Sequence, residues 1–264
     1  MSFFSSNHLT AGYGSTPVVE DISFKLNSGC LMGVLGANGS GKTTMLKAIC
    51  GILPHKGTCL LETSQLEKLS IRQIAKLCSY IPQRSGISID ISALDVVLMG
   101  FNPHLGLLEH PTKIMRDSAM EALQQVGLAQ KAHMNYLHLS EGQKQLCILA
   151  RTLVSGCKLL LLDEPESALD FHYRYRILAL LQNWVKHSHS SAIVTLHDPV
   201  LALNYCESLL LLAEGKVLGM IHPKTDTLET MEQMLCKIYG KVSLQYVTTQ
   251  NGSKQLIMLN EDIL

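Results

Sequence analysis

The stretch that decides the fold is Cys30 to Thr43, CLMGVLGANGSGKT. Cys30 to Leu35 is an apolar run with the length of a buried strand, and Gly36-Ala37-Asn38-Gly39-Ser40-Gly41-Lys42-Thr43 matches the spacing G-x-x-x-x-G-K-[ST]. After it, Met45, Leu46 and Ile49 share one face of an expected helix. Strand, glycine-rich turn and helix in that order are the context the motif requires. The glycines let backbone N–H groups turn inward around phosphate oxygens. Lys42 supplies positive charge to the outer phosphates, and the Thr43 hydroxyl can ligate Mg²⁺. A glycine-rich turn without a ligand is the competing reading, and the flanking elements weigh heavily against it.

Working outward, short apolar runs alternate with segments of helical period, the pattern of a parallel sheet covered by helices. Leu159 to Leu162, Ala192 to Leu196 and Ser208 to Leu212 read as further buried strands, and Glu214-Gly215-Lys216-Val217 after the last reads as a hairpin. From about Ser92 to Ser155 the period is helical, with breaks at Asn102-Pro103-His104 and at Pro111, as expected of a helical insertion between two halves of one α/β core. Asp163 and Glu164 stand at the end of the run LLLLDEP, where ligands gather at the carboxyl edge of a parallel sheet. Beside a phosphate loop, Asp163 is the expected Mg²⁺ partner and Glu164 the expected general base for an attacking water.

Composition narrows the classes. The 22 basic and 22 acidic side chains of the 264 residues balance, so no global field attracts nucleic acid, and no nucleic-acid partner is expected. Mean hydropathy is +0.17, yet no apolar run approaches the roughly 20 residues of a membrane-spanning helix. The start, MSFFSSNHLT, has neither a basic nor an apolar secretory region, so a cytosolic chain is expected. Eight dispersed cysteines, without C-x-x-C or zinc spacing, read as buried reduced thiols. His187 and His189 read as part of a solvated turn, KHSHSS.

The stretch from Leu139, LSEGQKQLCILARTL, contains no obvious nucleophile or metal ligand. Ser140-Glu141-Gly142-Gln143 has the capping-box form S-x-x-Q, and Leu146, Leu149, Ala150 and Leu153 follow at helical spacing. Its free N–H groups and partial positive charge suit an anion, although starting a core helix would account for it equally well.

The phosphate loop, Gln83 in Tyr80-Ile81-Pro82-Gln83, LSEGQ, LLLLDEP, Ser167-Ala168-Leu169-Asp170 and His197 occur in this order. With them the chain closely resembles the ATP-binding subunits of ABC transporters over nearly its whole length. The resemblance implies one domain over 1–264. A P-loop NTPase core with a parallel sheet and an N-terminal antiparallel β region would comprise 1–84 and 159–240, with an inserted helical signature subdomain at 85–158 and a C-terminal tail at 241–264. It implies ATP and Mg²⁺ as ligands. Gly36, Asn38, Gly39, Ser40, Gly41, Lys42, Thr43 and Thr44 would hold the phosphates, Tyr13 would stack on adenine, and Thr43, Gln83 and Asp163 would serve the metal. Gln83 would be the Q-loop glutamine, His197 the switch histidine beside Glu164, and Asp170 an acid at a dimer seam. Ser140, Gly142 and Gln143 would bind the γ-phosphate of ATP held by a second copy, giving a head-to-tail homodimer.

Three positions depart from the usual pattern of the family. Glu141 replaces a glycine of LSGGQ and places an acid one residue from the implied phosphate contact, which it should weaken unless its side chain points away; Glu166 stands where Thr is common and Ala37 where Pro is common, and neither removes a group with a named role. Asp95 to His104, DVVLMGFNPH, and Lys237 to Val242 resemble segments of importers of iron siderophores, haem and vitamin B12, a group that also includes molybdate and tungstate carriers. The partners implied are a separate polytopic membrane permease and, indirectly, a periplasmic or lipoprotein substrate-binding protein. The place implied is the cytoplasmic face of the inner membrane. Soluble P-loop kinases and non-transport ABC ATPases are the rival classes, and no long heptad array or tandem cassette supports the latter.

Overall fold

The structure, a computed structural model, describes residues 2–83, 86–106, 108–167 and 169–262. Strands β1 (Phe4–Tyr13), β2 (Thr16–Leu26), β4 (His55–Leu61) and β5 (Ser64–Gln65) form an antiparallel sheet in the order β2-β1-β4-β5. Gly14, at φ 67°, makes the tight turn that pairs Tyr13 with Thr16. The second sheet has the order β10-β9-β3-β8-β7-β6, from β3 (Leu31–Leu35), β6 (Cys78–Ile81), β7 (Leu159–Asp163), β8 (Ser191–Thr195), β9 (Ser208–Ala213) and β10 (Lys216–Ile221). All its pairings are parallel except β9 with β10, the expected hairpin.

Period-two alternation explains why these strands are apolar throughout. Leu31, Leu35, Leu160, Leu162, Val194 and Leu209 face one core, while Met32, Val34, Leu159, Leu161, Ile193 and Leu210 face the other. The second core is closed by the antiparallel sheet and by α1 (Lys42–Ile49), through Phe4, Ile22, Met45 and Leu46. The first is closed by α6 (Phe171–Ser188) and α7 (Pro199–Tyr205), through Leu178, Leu181 and Leu201.

After α2 (Ile71–Leu77) and β6, the chain forms a helical layer of α3 (Ala93–Leu98), α4 (Lys113–Gln125) and α5 (Glu141–Leu153), packed around Val97, Leu123, Tyr136 and Leu146. Ser92, Thr112 and Ser140 cap these helices by accepting the N–H of Asp95, Met115 and Gln143. Each such cap stabilises its helix by about 1 kcal/mol. Two segments differ from the sequence reading. α6 runs on through His187 to Ser188 and ends at His189 in the left-handed region, so only the end of KHSHSS is a turn. Val242 to Asn260 is a paired hairpin, β11 (Val242–Thr248) with β12 (Lys254–Asn260), following α8 (Leu228–Tyr239). It is held by Leu244 and Leu256 and by the Asn204 amide, which bonds both the N–H and the C=O of Leu256.

All eight cysteines are free; Cys30, Cys50 and Cys236 are only half-buried. No described helix is long and apolar enough to cross a membrane.

Candidate active site

The loop between β3 and α1 is glycine-rich for steric reasons. A Cβ on Gly36 would lie 2.3 Å from Leu212 O, and one on Gly41, at φ 99°, would lie 2.4 Å from Val19 Cγ1. The tight turn brings Lys42 inward: buried, its Nζ donates to Gly36 O at 2.9 Å and Ala37 O at 3.2 Å and lies 3.8 Å from Glu164 Oε1. Burial pushes the Lys42 pKa down, and the charges of Glu164, Asp163 and Glu166 oppose that shift. Among the described residues the buried Ser40 Oγ has no hydrogen-bond partner. A cavity of about 140 Å³ lies over this loop, lined by Asn38, Gly39, Gly41, Lys42, Thr43 and Thr44 together with Val18 and Glu164.

At the end of β7 the Asp163 carboxylate is gripped by three hydroxyls. Thr43 Oγ1 and Thr195 Oγ1 each donate to Oδ1 at 3.0 Å, and Tyr80 OH donates to Oδ2 at 3.1 Å. Glu164 follows in a left-handed conformation, φ 47°, unusual for a residue with a side chain and characteristic of functional sites. Its N–H donates to Thr195 Oγ1 at 2.8 Å, and its Oε2 receives Gln83 Nε2 at 2.9 Å and lies 2.6 Å from His197 Nε2. Lys42, Gln83, Glu164 and His197, distant in sequence, thus meet around one carboxylate.

Four contributors escaped the sequence reading. Tyr80 and Thr195 orient Asp163, and Ser167 Oγ accepts a second bond from Gln83 at 3.2 Å. Glu166, which the motif pattern leaves without a role, is buried and accepts the backbone N–H of His197 at 3.0 Å, fixing the loop that carries the histidine. Burial pushes its carboxyl above the usual range. No local signal marked it, since Glu166 follows Asp163, Glu164 and Pro165 beyond the strand and its partner lies on another loop.

The Ser140 helix lies elsewhere. Ser140 and Gln143 form the expected capping box, and a Cβ on Gly142 would lie 2.7 Å from Tyr173 Cγ, so only glycine fits beneath that ring. Glu141 turns toward solvent and pairs with Lys144 at 2.8 Å. Gln145 Nε2 donates to Gln83 O at 3.1 Å, tying α5 to the cluster around Glu164. Asp170 caps α6 by accepting the Tyr173 N–H, so a capping role is present whatever else it does. Tyr13 is 55% exposed in a cleft of about 520 Å³ with Gly14, Pro17 and Pro54.

A strand-ending phosphate loop with a buried lysine, facing a strand that ends in Asp-Glu, defines a P-loop nucleotide hydrolase. Residues 19–167 match the ABC transporter family, and the chain belongs to it as an ATPase of the ABC type. A hemin import ATP-binding protein of Bordetella pertussis is 34% identical over 89% of this chain and 91% of that relative. A cobalamin import ATP-binding protein of Halobacterium salinarum is 32% identical over 76% of this chain and 50% of its own. The chain is similar throughout to a metal-chelate type ABC transporter solved in an inward-facing conformation, with TM-score 0.84, 26% identity and full coverage of both chains. A dimeric ATP-binding cassette bound to ADP and Pi shares the fold at TM-score 0.73 and 22% identity over 83% of this chain and 98% of its own.

Proposed function

We propose that the chain hydrolyses ATP for the uptake of a metal chelate of the iron-siderophore, haem or cobalamin class. It would act as a head-to-tail homodimer on a separate polytopic permease at the cytoplasmic face of the cell membrane, with a substrate-binding protein upstream. The observation that carries the hydrolytic reading is Glu164 within reach of Lys42, Gln83 and His197 beside the phosphate loop. Lys42, Ser40 and the loop N–H groups hold the phosphates, Tyr13 packs on the base, and Glu164 accepts the proton of the attacking water while Gln83 and His197 orient it. Mg²⁺ would be held by the all-oxygen set of Thr43, Asp163 and Gln83, a donor set that suits this hard cation, and would neutralise phosphate charge. The helical segment 85–158 carries the second face of the sandwich, between core segments 1–84 and 159–240.

The Tyr80 phenol orients Asp163 through a bond a phenylalanine cannot make. Burial and the Asp163 charge raise its pKa, so it stays a donor. Tyr80→Phe is expected to weaken Mg²⁺ binding to the nucleotide complex about tenfold while leaving metal-free ATP affinity unchanged. Mg²⁺ titration at fixed ATP measures this, and a wild-type Mg²⁺ affinity contradicts it.

The metal-chelate reading is supported by the similarity to hemin and cobalamin import proteins. Deleting the gene and measuring uptake of haem, ferric siderophore and cobalamin tests it; unchanged uptake of all three refutes it. Docking would use the Q-loop hinge and Asn102-Pro103-His104, because Arg72 on α2 bonds the carbonyls of Pro103 and Leu105, and His104 Nε2 contacts Ser155 O at 2.9 Å. Arg72→Ala should loosen this segment and uncouple transport from hydrolysis, with ATP affinity intact. Loss of ATP affinity instead would show that the segment serves nucleotide binding.

A further inference from the structure

Away from the phosphate site, His55, Cys59 and Glu67 bring an imidazole, a thiol and a carboxylate to one point. His55 opens β4 and Cys59 lies four residues on, which in a regular strand is a rise of about 13 Å. The strand is not regular there. Gly57 sits between them at φ 88°, opposite His8 at φ 53°, where the β1–β4 register slips between Asn7 and Thr10. A Cβ at Gly57 would lie 2.3 Å from His8 O, so the bulge depends on glycine. It bends β4 enough for its first and fifth side chains to converge on Glu67, which arrives from the helical turn after β5. Glu67 Oε1 lies 3.0 Å from His55 Nε2 and accepts the Cys59 N–H. One ligand atom from each residue falls within 4.8 Å of the other two.

A polar latch between β4 and the turn would account for His55 and Glu67 alone. Cys59 packs in the core, where any small apolar side chain would serve, and the latch does not call for a sulfur beside a carboxylate and an imidazole. Access is present as well: Leu53, Pro54 and His55 line both the Tyr13 cleft and a neighbouring one of about 330 Å³ that Glu67 also borders.

We propose that His55, Cys59 and Glu67 form a site for a borderline divalent transition-metal ion of the Zn²⁺ class, with an open fourth position toward these clefts. Sulfur and imidazole donors suit such an ion and not Mg²⁺, so the site is distinct from that of the nucleotide's metal. On binding, the Cys59 thiol proton leaves to solvent as the sulfur–metal bond forms, with no change of oxidation state. His55 coordinates through Nε2 with its proton on Nδ1. Glu67 coordinates while keeping its bond to the Cys59 N–H. The ligand atoms draw in by about 1 Å to reach tetrahedral spacing.

The test uses the full chain, stripped by a chelator and then titrated with Zn²⁺ against a chromophoric competitor and with Co²⁺. The expected result is one tight equivalent of Zn²⁺ and a thiolate-to-cobalt absorption band. His55→Gln and Glu67→Gln should each weaken Zn²⁺ binding by more than about tenfold, and Cys59→Ala should remove the cobalt band. Should Cys59→Ala not fold, the other two variants decide, since each replaces its residue by a polar side chain of similar size. No uptake by the wild type, or wild-type affinity in His55→Gln and Glu67→Gln, overturns the site. A cobalt band that persists in Cys59→Ala also overturns it, by assigning the band to another cysteine.

Discussion

Glu164→Gln is expected to bind ATP as tightly as the wild type and to hydrolyse it about a thousandfold more slowly. The substitution keeps the shape of the side chain and an oxygen for Gln83 Nε2, now 2.9 Å away, but removes the charge that faces Lys42 and His197. Binding rests on groups the substitution leaves in place: the loop N–H donors, Lys42 Nζ, which keeps its positive charge, and the Thr43 hydroxyl. The water loses its proton acceptor, and a neutral amide cannot replace it. A second consequence follows if two copies enclose two nucleotides. On that reading hydrolysis reopens the sandwich, so the variant should accumulate as a dimer with ATP and remain monomeric with ADP. Turnover and sizing chromatography with each nucleotide check both. Turnover within a few-fold of wild type would remove Glu164 as the base; slow turnover with only monomer would leave the base and refute the sandwich.

What could be read from the sequence, and what could not, divides along physical lines. CLMGVL followed by GANGSGKT could be read without tertiary knowledge, because strand, turn and helix lie within one short segment, although the contacts that demand glycine at 36 and 41 come from distant Leu212 and Val19. LLLLD was legible because a strand buried on both faces is apolar at every position. Ser140 was legible as a cap because capping is a contact between neighbours. The grip on Asp163 was not, since Tyr80 and Thr195 lie on the strands flanking β7 and read as ordinary strand residues until the register Tyr80–Leu161 and Asp163–Thr195 sets them beside the carboxylate. The role of Glu166 was hidden for the same reason, its partner being a backbone N–H on the next loop. The terminal hairpin was missed although Val242-Ser243-Leu244-Gln245 alternates, because only Val242, Leu244 and Leu256 are buried and the rest of both strands is more open to water. The convergence of His55, Cys59 and Glu67 depends on a bulge that spacing alone does not reveal.

The Ser140 helix separates two mechanisms by their failures, because its N-terminus is built to cap itself and is also free to meet an anion. Ser140 Oγ accepts the Gln143 N–H at 3.4 Å, and the Ser140 N–H donates to Gln143 Oε1 at 3.2 Å. If that is its whole task, Ser140→Arg loses a cap, about 1 kcal/mol of stability, and nothing else. The cavity over the phosphate loop, however, is lined by no residue of this helix, so a phosphate met by Ser140 would belong to a nucleotide held by a second copy. On that reading Ser140→Arg in a single subunit binds ATP normally, since Lys42, Thr43 and the loop are unchanged. Placed in the Glu164→Gln background it should abolish the ATP-dependent dimer, because the arginine side chain fills the space the γ-phosphate would take at the helix end. Lys144 sharpens the comparison. It pairs with Glu141 at 2.8 Å, and Lys144→Ala should leave that acid unneutralised next to the incoming phosphate and weaken the dimer without abolishing it. The measurements are ATP affinity and dimer fraction for the Glu164→Gln protein with and without each change, with thermal stability to record the lost cap. Intact affinity, a small loss of stability and no dimer support binding in trans. A dimer that forms as readily with Ser140→Arg as without it would reduce this helix to a structural element, and reduced affinity in a folded monomer would place it at its own nucleotide.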